Sequence, residues 1–195
     1  MNADSRTGSS HSQQALPPGV LVHPTAERRL AVSHWLLSTL HTAGRDRART
    51  EWDEQGIALL PLGTLFSAIR LPAPLVLAAG HLTRPGPEVD AMLSEVFEGP
   101  VICDPRGRRY YALVPASVPR TWRQAADEWR IADVDVLGRE TLLGVPRVGL
   151  DRDSALPGQS YWAAPMASAG ELCRPLAVAR LIAAGRHVMG DGAEY

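Results

Sequence analysis

Val101-Ile102-Cys103-Asp104-Pro105-Arg106-Gly107-Arg108-Arg109-Tyr110-Tyr111-Ala112-Leu113-Val114-Pro115 sets two short apolar runs, 101–103 and 110–114, on either side of Asp104-Pro105-Arg106-Gly107. Asp at the first place, Pro at the second and Gly at the fourth favour a type I turn, because proline pre-sets φ at the second place. The flanking runs are β-branched and aromatic, the composition of strands. The stretch therefore reads as a β-hairpin at the centre of a domain mixing helices and strands. It also carries the first candidate for chemistry, Asp104 beside Arg106, Arg108 and Arg109.

Composition bounds what this hairpin can belong to. A chain of 195 residues suits one domain, here 21–186, with a tail. Its 45% hydrophobic content fits an ordinary core. Residues 1–20 are rich in Ser, Gln, Gly and Pro and bury too little apolar surface to order themselves, so they read as a disordered tail; residues 187–195 read as a frayed end. All 20 of the Lys+Arg residues are Arg, and the net charge is −1, which gives no global attraction to nucleic acid or membrane. Cys103 and Cys173 stand alone, with no zinc spacing and no disulfide framework. No apolar run approaches the ~18 residues of a membrane span, and the N-terminus lacks the basic-then-apolar order of a signal peptide. The expectation is a cytoplasmic protein with no membrane partner.

Working outward, Thr25 can cap a helix over 25–43, with Leu30, Leu37, Trp35 and Leu36 on its apolar face and Gly44 at its end. The charged segment 45–55 carries Trp52 as its one large apolar anchor and reads as a short solvated helix. Gly56-Ile57-Ala58-Leu59-Leu60-Pro61-Leu62 has the pattern of a buried strand. Residues 64–70, with Leu65, Phe66 and Ile69 apolar, read as a short helix stopped by Pro72 and Pro74, while 75–79 fits a strand or a loop. Pro87 opens a helix through residue 97. A short helix over 121–128, strands over 134–138, 141–146 and 161–165, and a helix over 172–185 ended by Gly185 complete the chain. Strands in clusters with helices between them indicate an α+β fold with a mostly antiparallel sheet.

Several chemistries lack their sequence patterns. The chain has no P-loop and no lysine to complete one, no Gly-x-Gly-x-x-Gly after a strand, no His-x-x-x-His and no Gly-x-Ser-x-Gly. Cys103, inside an apolar strand, reads as a small buried hydrophobe. Carboxylates remain. Asp133 and Asp135, two apart, lie on one face of a strand and could hold Mg²⁺ through oxygen ligands, with Asp104 as a third. Solvated strand-edge aspartates and a turn-forming Asp104 explain the same residues. Arg106, Arg108 and Arg109 could clamp a phosphate or a partner, or simply decorate a solvated turn.

Three stretches in order resemble the N-terminal domain of bifunctional DNA primase/polymerases, the Prim-Pol family. They are Gly56-Ile57-Ala58-Leu59-Leu60-Pro61-Leu62, then Gly107-Arg108-Arg109-Tyr110-Tyr111-Ala112-Leu113-Val114-Pro115, then Val134-Asp135-Val136-Leu137-Gly138 followed by 142–146 and Tyr161-Trp162. The resemblance implies a primase/polymerase-like fold. It implies metal-dependent nucleotidyl transfer through an Asp-x-Asp/Glu pair, a strand His and a third Asp. Asp135 matches the third and Asp104 the first, but Arg106 stands at the second acidic position and Arg109 at the His. The family's insert between these motifs is absent. What it implies here is a short, degenerate, bacterial-type relative with no catalytic residues, acting by binding a protein or a nucleic acid. Two alternatives stay open. One is an enzyme using Asp104, Asp133 and Asp135, with Mg²⁺ or Mn²⁺ on Asp104 and Asp135; the other is a small regulatory module with no nucleic-acid role.

Overall fold

A computed structural model describes residues 25–191. The expected tail 1–20 lies outside the described residues, as do residues 192–195 of the expected frayed end.

The first helix, α1 (Thr25–Leu37), stops short of residue 43. Ser38 Oγ donates to the Trp35 carbonyl at 2.6 Å and Thr39 Oγ1 to the Leu36 carbonyl at 2.8 Å. The backbone tightens over the same residues, with the Thr39 and Leu40 N–H groups donating to the carbonyls three residues back, Leu36 and Leu37, and the α-helical ladder ends there. A second helix, α2 (Thr42–Gln55), begins at once, contains Gly44 and absorbs the charged segment. Gly56, at φ 74°, closes it, donating its N–H to the Trp52 carbonyl at 3.0 Å. Trp52 is buried, and its indole N–H donates to the Val145 carbonyl at 2.9 Å, anchoring an otherwise polar helix.

Seven strands follow among the described residues: β1 (Ile57–Pro61), β2 (Phe66–Pro72), β3 (Val101–Asp104), β4 (Arg109–Pro115), β5 (Asp135–Leu137), β6 (Leu142–Pro146) and β7 (Tyr161–Ala164). Five form a sheet in the order β5-β2-β4-β3-β7, and β1 and β6 form a separate two-stranded ribbon. Every pairing is antiparallel. The α+β expectation holds, and the hairpin β3–β4 lies inside the five-stranded sheet.

Strand side chains alternate between faces, and both faces of this sheet are covered. Ile69, Leu71, Tyr110, Ala112, Val101 and Cys103 join one cluster. Three helices pack into it: α3 (Ala73–Ala79), α4 (Pro87–Phe97) and α7 (Pro175–Asp191). The short helices α5 (Val118–Thr121) and α6 (Arg123–Trp129) close its end through Val118 and Trp129. Phe66, Ala68, Leu113, Ile102 and Trp162 join the second cluster, with Leu36, Trp52, Leu60 and Val145 from α1, α2 and the ribbon. The domain is thus three layers, with the sheet in the middle.

Several local readings give way to this packing. Residues 64–70 are not a short helix, because Phe66–Pro72 is the interior strand β2, hydrogen-bonded on both sides. Both of its faces are buried, so its apolar residues run together and imitate helical spacing. The stretch 75–79 belongs to helix α3, which opens on Pro72-Ala73-Pro74. The expected helix over 121–128 divides into α5 and α6. Nor does α7 stop at Gly185; it continues through Asp191, so residues 187–191, expected to fray, are helical. Gly185 serves as a contact point instead. A Cβ there would lie 2.5 Å from the Leu75 carbonyl oxygen of α3, a rigid backbone atom. Gly185→Ala should therefore cost about 1–3 kcal/mol of unfolding free energy, measured by chemical denaturation, because α3 and α7 must move apart. A stability unchanged or raised, as an ordinary helix glycine-to-alanine change would give, would refute this account of the contact.

Candidate functional site

The hairpin tip is built as its sequence suggests. Asp104 pairs with Arg109, and Asp104 Oδ1 accepts the Gly107 N–H at 3.0 Å. A Cβ on Gly107 would crowd the Asp104 carboxylate and displace it from the turn it closes. Arg108 sits in the left-handed region at φ 53°, which reverses the chain into β4. Its carbonyl accepts the Ala73 N–H at 2.9 Å and ties the tip to the start of α3.

The candidate carboxylates are held apart. Asp133 is not on a strand: it follows a short 3₁₀ turn, Arg130–Ala132, at φ 56°, and β5 begins only at Asp135. The two aspartates therefore do not share a strand face as the spacing predicts. Asp133 Oδ2 accepts from Arg109 at 2.6 Å. Asp135 lies directly across from Arg70 and accepts its guanidinium hydrogen bond. Asp104 is engaged with its own turn. Among the described residues, no group of three or more His, Cys, Asp or Glu side chains is placed to hold a metal ion.

The three arginines also separate. Arg109 belongs to Asp133. Arg106 leans on Gly158, where a Cβ would lie 2.8 Å from its Nε. Arg108 is exposed, and its guanidinium has no ion-pair partner among the described residues. No single phosphate clamp unites them.

A second cluster lies beneath the hairpin. Arg152 Nε donates to Asp90 Oδ2 at 2.7 Å and its other arm to the Gly86 carbonyl at 2.9 Å. The guanidinium lies 4.9 Å from the centre of the Tyr161 ring, a cation–π contact. The Cys103 thiol neighbours the Tyr110 and Tyr161 phenols. Burial pushes the Asp90 carboxyl above its usual value, and the Arg152 hydrogen bond only partly offsets it. Burial also raises Cys103 and both phenols, so the thiol stays protonated and is not an activated nucleophile. For Arg152 burial opposes the charge, but the Asp90 carboxylate outweighs it and raises the pKa.

Of this cluster the sequence places only Cys103 and Tyr110 together, on the two strands of one hairpin; the register that sets them directly opposite is seen in the structure. Asp90, Arg152 and Tyr161 come from a helix, a polar loop and a distant strand, and no spacing signal joins them. The same holds for Arg70. No family model, curated protein or solved structure matches this chain.

The raised Asp90 pKa has a sign that can be checked. The folded protein holds the Asp90 proton more tightly than the unfolded chain, whose value is near 3.8. Its contribution is complete below pH 3.8 and is lost as pH rises through the folded value. The unfolding free energy of wild type minus that of Asp90→Asn should fall as pH climbs above 3.8, then level off. A difference that grows with pH would refute the assignment.

Proposed function

We propose that this chain is a Prim-Pol-like, non-catalytic binding protein of the cytoplasm rather than a nucleotidyl-transferring enzyme. The observation that carries the reading is the pairing of Arg109 with Asp133 and of Arg70 with Asp135. Each carboxylate that the enzyme reading would use for Mg²⁺ or Mn²⁺, apart from the turn-bound Asp104, already accepts from a guanidinium. A divalent cation arriving there would meet a fixed positive charge within a few ångströms, and like charges at such range repel by about 1 kcal/mol or more. Arginine does not lose its charge to relieve this.

A protein partner is favoured over nucleic acid. Affinity for phosphate backbones needs a concentrated basic surface. Here the net charge is −1, and Arg70, Arg109 and Arg152 are spent on internal carboxylates.

Calorimetric titration with Mn²⁺ tests the reading. The expected result is no micromolar binding. Asp135→Asn should leave the heat signal unchanged and lower the unfolding free energy by about 1 kcal/mol, through loss of the Arg70 pair. Tight Mn²⁺ binding that Asp135→Asn abolishes, or template-dependent incorporation of labelled nucleotides by the intact protein, would overturn it.

A further inference from the structure

The two-stranded ribbon keeps one edge open. β6 bonds to β1 through its odd-numbered residues: the Arg147 N–H donates to the Gly56 carbonyl at 2.8 Å, and the Thr141 carbonyl accepts the Leu62 N–H at 2.9 Å. Alternate residues of an antiparallel strand aim their backbone groups to opposite sides. Leu142, Gly144 and Pro146 therefore turn theirs away from β1. Among the described residues no strand lies on that side, and no hydrogen bond reaches the N–H or C=O of Leu142 or Gly144. The opposite edge of the ribbon is guarded. Helix α2 packs along β1, and its Glu51 carboxylate accepts the Leu59 N–H at 3.5 Å.

An unpaired edge is a template for another strand, and proteins usually blunt it with charge or proline. From Leu142 to Val145 this edge has neither. The outward face of the ribbon is apolar throughout: Ile57, Leu59 and Pro61 from β1, Leu142, Gly144 and Pro146 from β6. Leu59 is 54% exposed and Leu142 60%.

We propose that β6 pairs antiparallel with β6 of a second copy of this chain, joining two ribbons into one four-stranded sheet about a two-fold axis at Leu143. The edge is its own complement in this register. Leu142 lies opposite the second copy's Gly144 and exchanges both backbone hydrogen bonds with it, and the symmetric pair does the same, so every open group is used. Neighbouring registers fail. An axis at Gly144 sets Leu142 against Pro146, which has no N–H and whose carbonyl already accepts from the Trp162 indole at 3.1 Å. An axis at Leu142 sets Gly144 against Glu140, which leaves the strand at φ 66°. The net charge of −1 puts little repulsion between two copies.

The area decides how firmly they hold. β6 has five residues, a length of about 17 Å, and a sheet is about 10 Å thick. The edges therefore meet over a few hundred Å², short of the roughly 1,200 Å² of a stable interface. The dimer is transient. Its formation uses none of Arg70, Arg109, Asp133 and Asp135, so it can fail while those ion pairs still exclude a metal.

Sedimentation equilibrium of the full chain, with amide hydrogen exchange read at each concentration, tests the pairing. The average mass should rise from near one copy at about 10 µM toward two at about 1 mM, as a Kd of about 100 µM gives. The Leu142 and Gly144 amides should exchange more slowly over the same range. Leu142→Lys places a charge on the edge and should weaken the dimer at least roughly tenfold. Its thermal midpoint should hold, because the side chain is mostly in solvent. Leu142→Val keeps an apolar edge and should dimerise as the wild type does. A single-copy mass up to about 1 mM, ten times the Kd of about 100 µM, would overturn the proposal. So would a dimer that Leu142→Lys leaves intact, or a mass that climbs past two copies, since a two-fold contact closes on itself. Leu142 and Gly144 amides already protected in the dilute monomer would assign the edge to residues 1–24 of the same chain and overturn it as well.

Discussion

The antiparallel ladder between β2 and β4 is the constraint on which the remaining architecture depends. It runs over seven residue pairs, from Phe66 opposite Pro115 to Pro72 opposite Arg109. Because side chains alternate, this one register sends Ile69, Leu71, Tyr110 and Ala112 to the α3–α4–α7 side and Phe66, Ala68 and Leu113 to the α1–α2 side. A slip of one residue would exchange every member of the two sets. It would turn Arg70 into the buried cluster under α3, α4 and α7 and separate it from Asp135. Burial on both faces therefore makes the register strongly specified, and the edge strands β5 and β7 then dock on what β2 and β3 present.

That arrangement also settles what the charged residues do. The arginines suggest ligand binding when read along the chain, but several are structural in space. Arg70 secures β5 to β2 through Asp135, Arg109 holds the turn before β5 through Asp133, and Arg152 pins the loop after β6 to α4 through Asp90. Pairs with this much exposure are each worth little, on the order of 0–1 kcal/mol. Their larger effect is electrostatic. They neutralise acidic groups at one end of the sheet and leave Arg106 and Arg108 at the hairpin tip without an ion-pair partner among the described residues.

Local and long-range information divided cleanly between particular residues. Asp104, Pro105 and Gly107 each favour a turn for separate reasons, so the β3–β4 hairpin was legible from fifteen residues, while its register, with Asp104 opposite Arg109, came from the structure. Pro87 and the apolar spacing of Val89, Leu93 and Phe97 made α4 equally plain. Residues 64–70 were misread because a strand buried on both faces has no polar alternate positions to reveal its period. Gly185 was misread because glycine ends helices far more often than it admits a crossing one. Asp133 and Asp135 have strand-like spacing, but the left-handed backbone at Asp133 breaks the strand between them.

The sequence alone was therefore enough for the α+β class, the antiparallel hairpin, the main strands after it and the small buried role of Cys103. Those features rest on turn chemistry and periodicity, which act within a few residues. The strand identity of 66–72, the passage of α7 through Gly185 and the partners of every arginine came only from tertiary packing. Intrinsic helix preferences differ by less than about 1 kcal/mol per residue for ordinary side chains. Burying one large apolar side chain contributes about 1.5–3 kcal/mol. Where the two disagree, as along β2, burial wins.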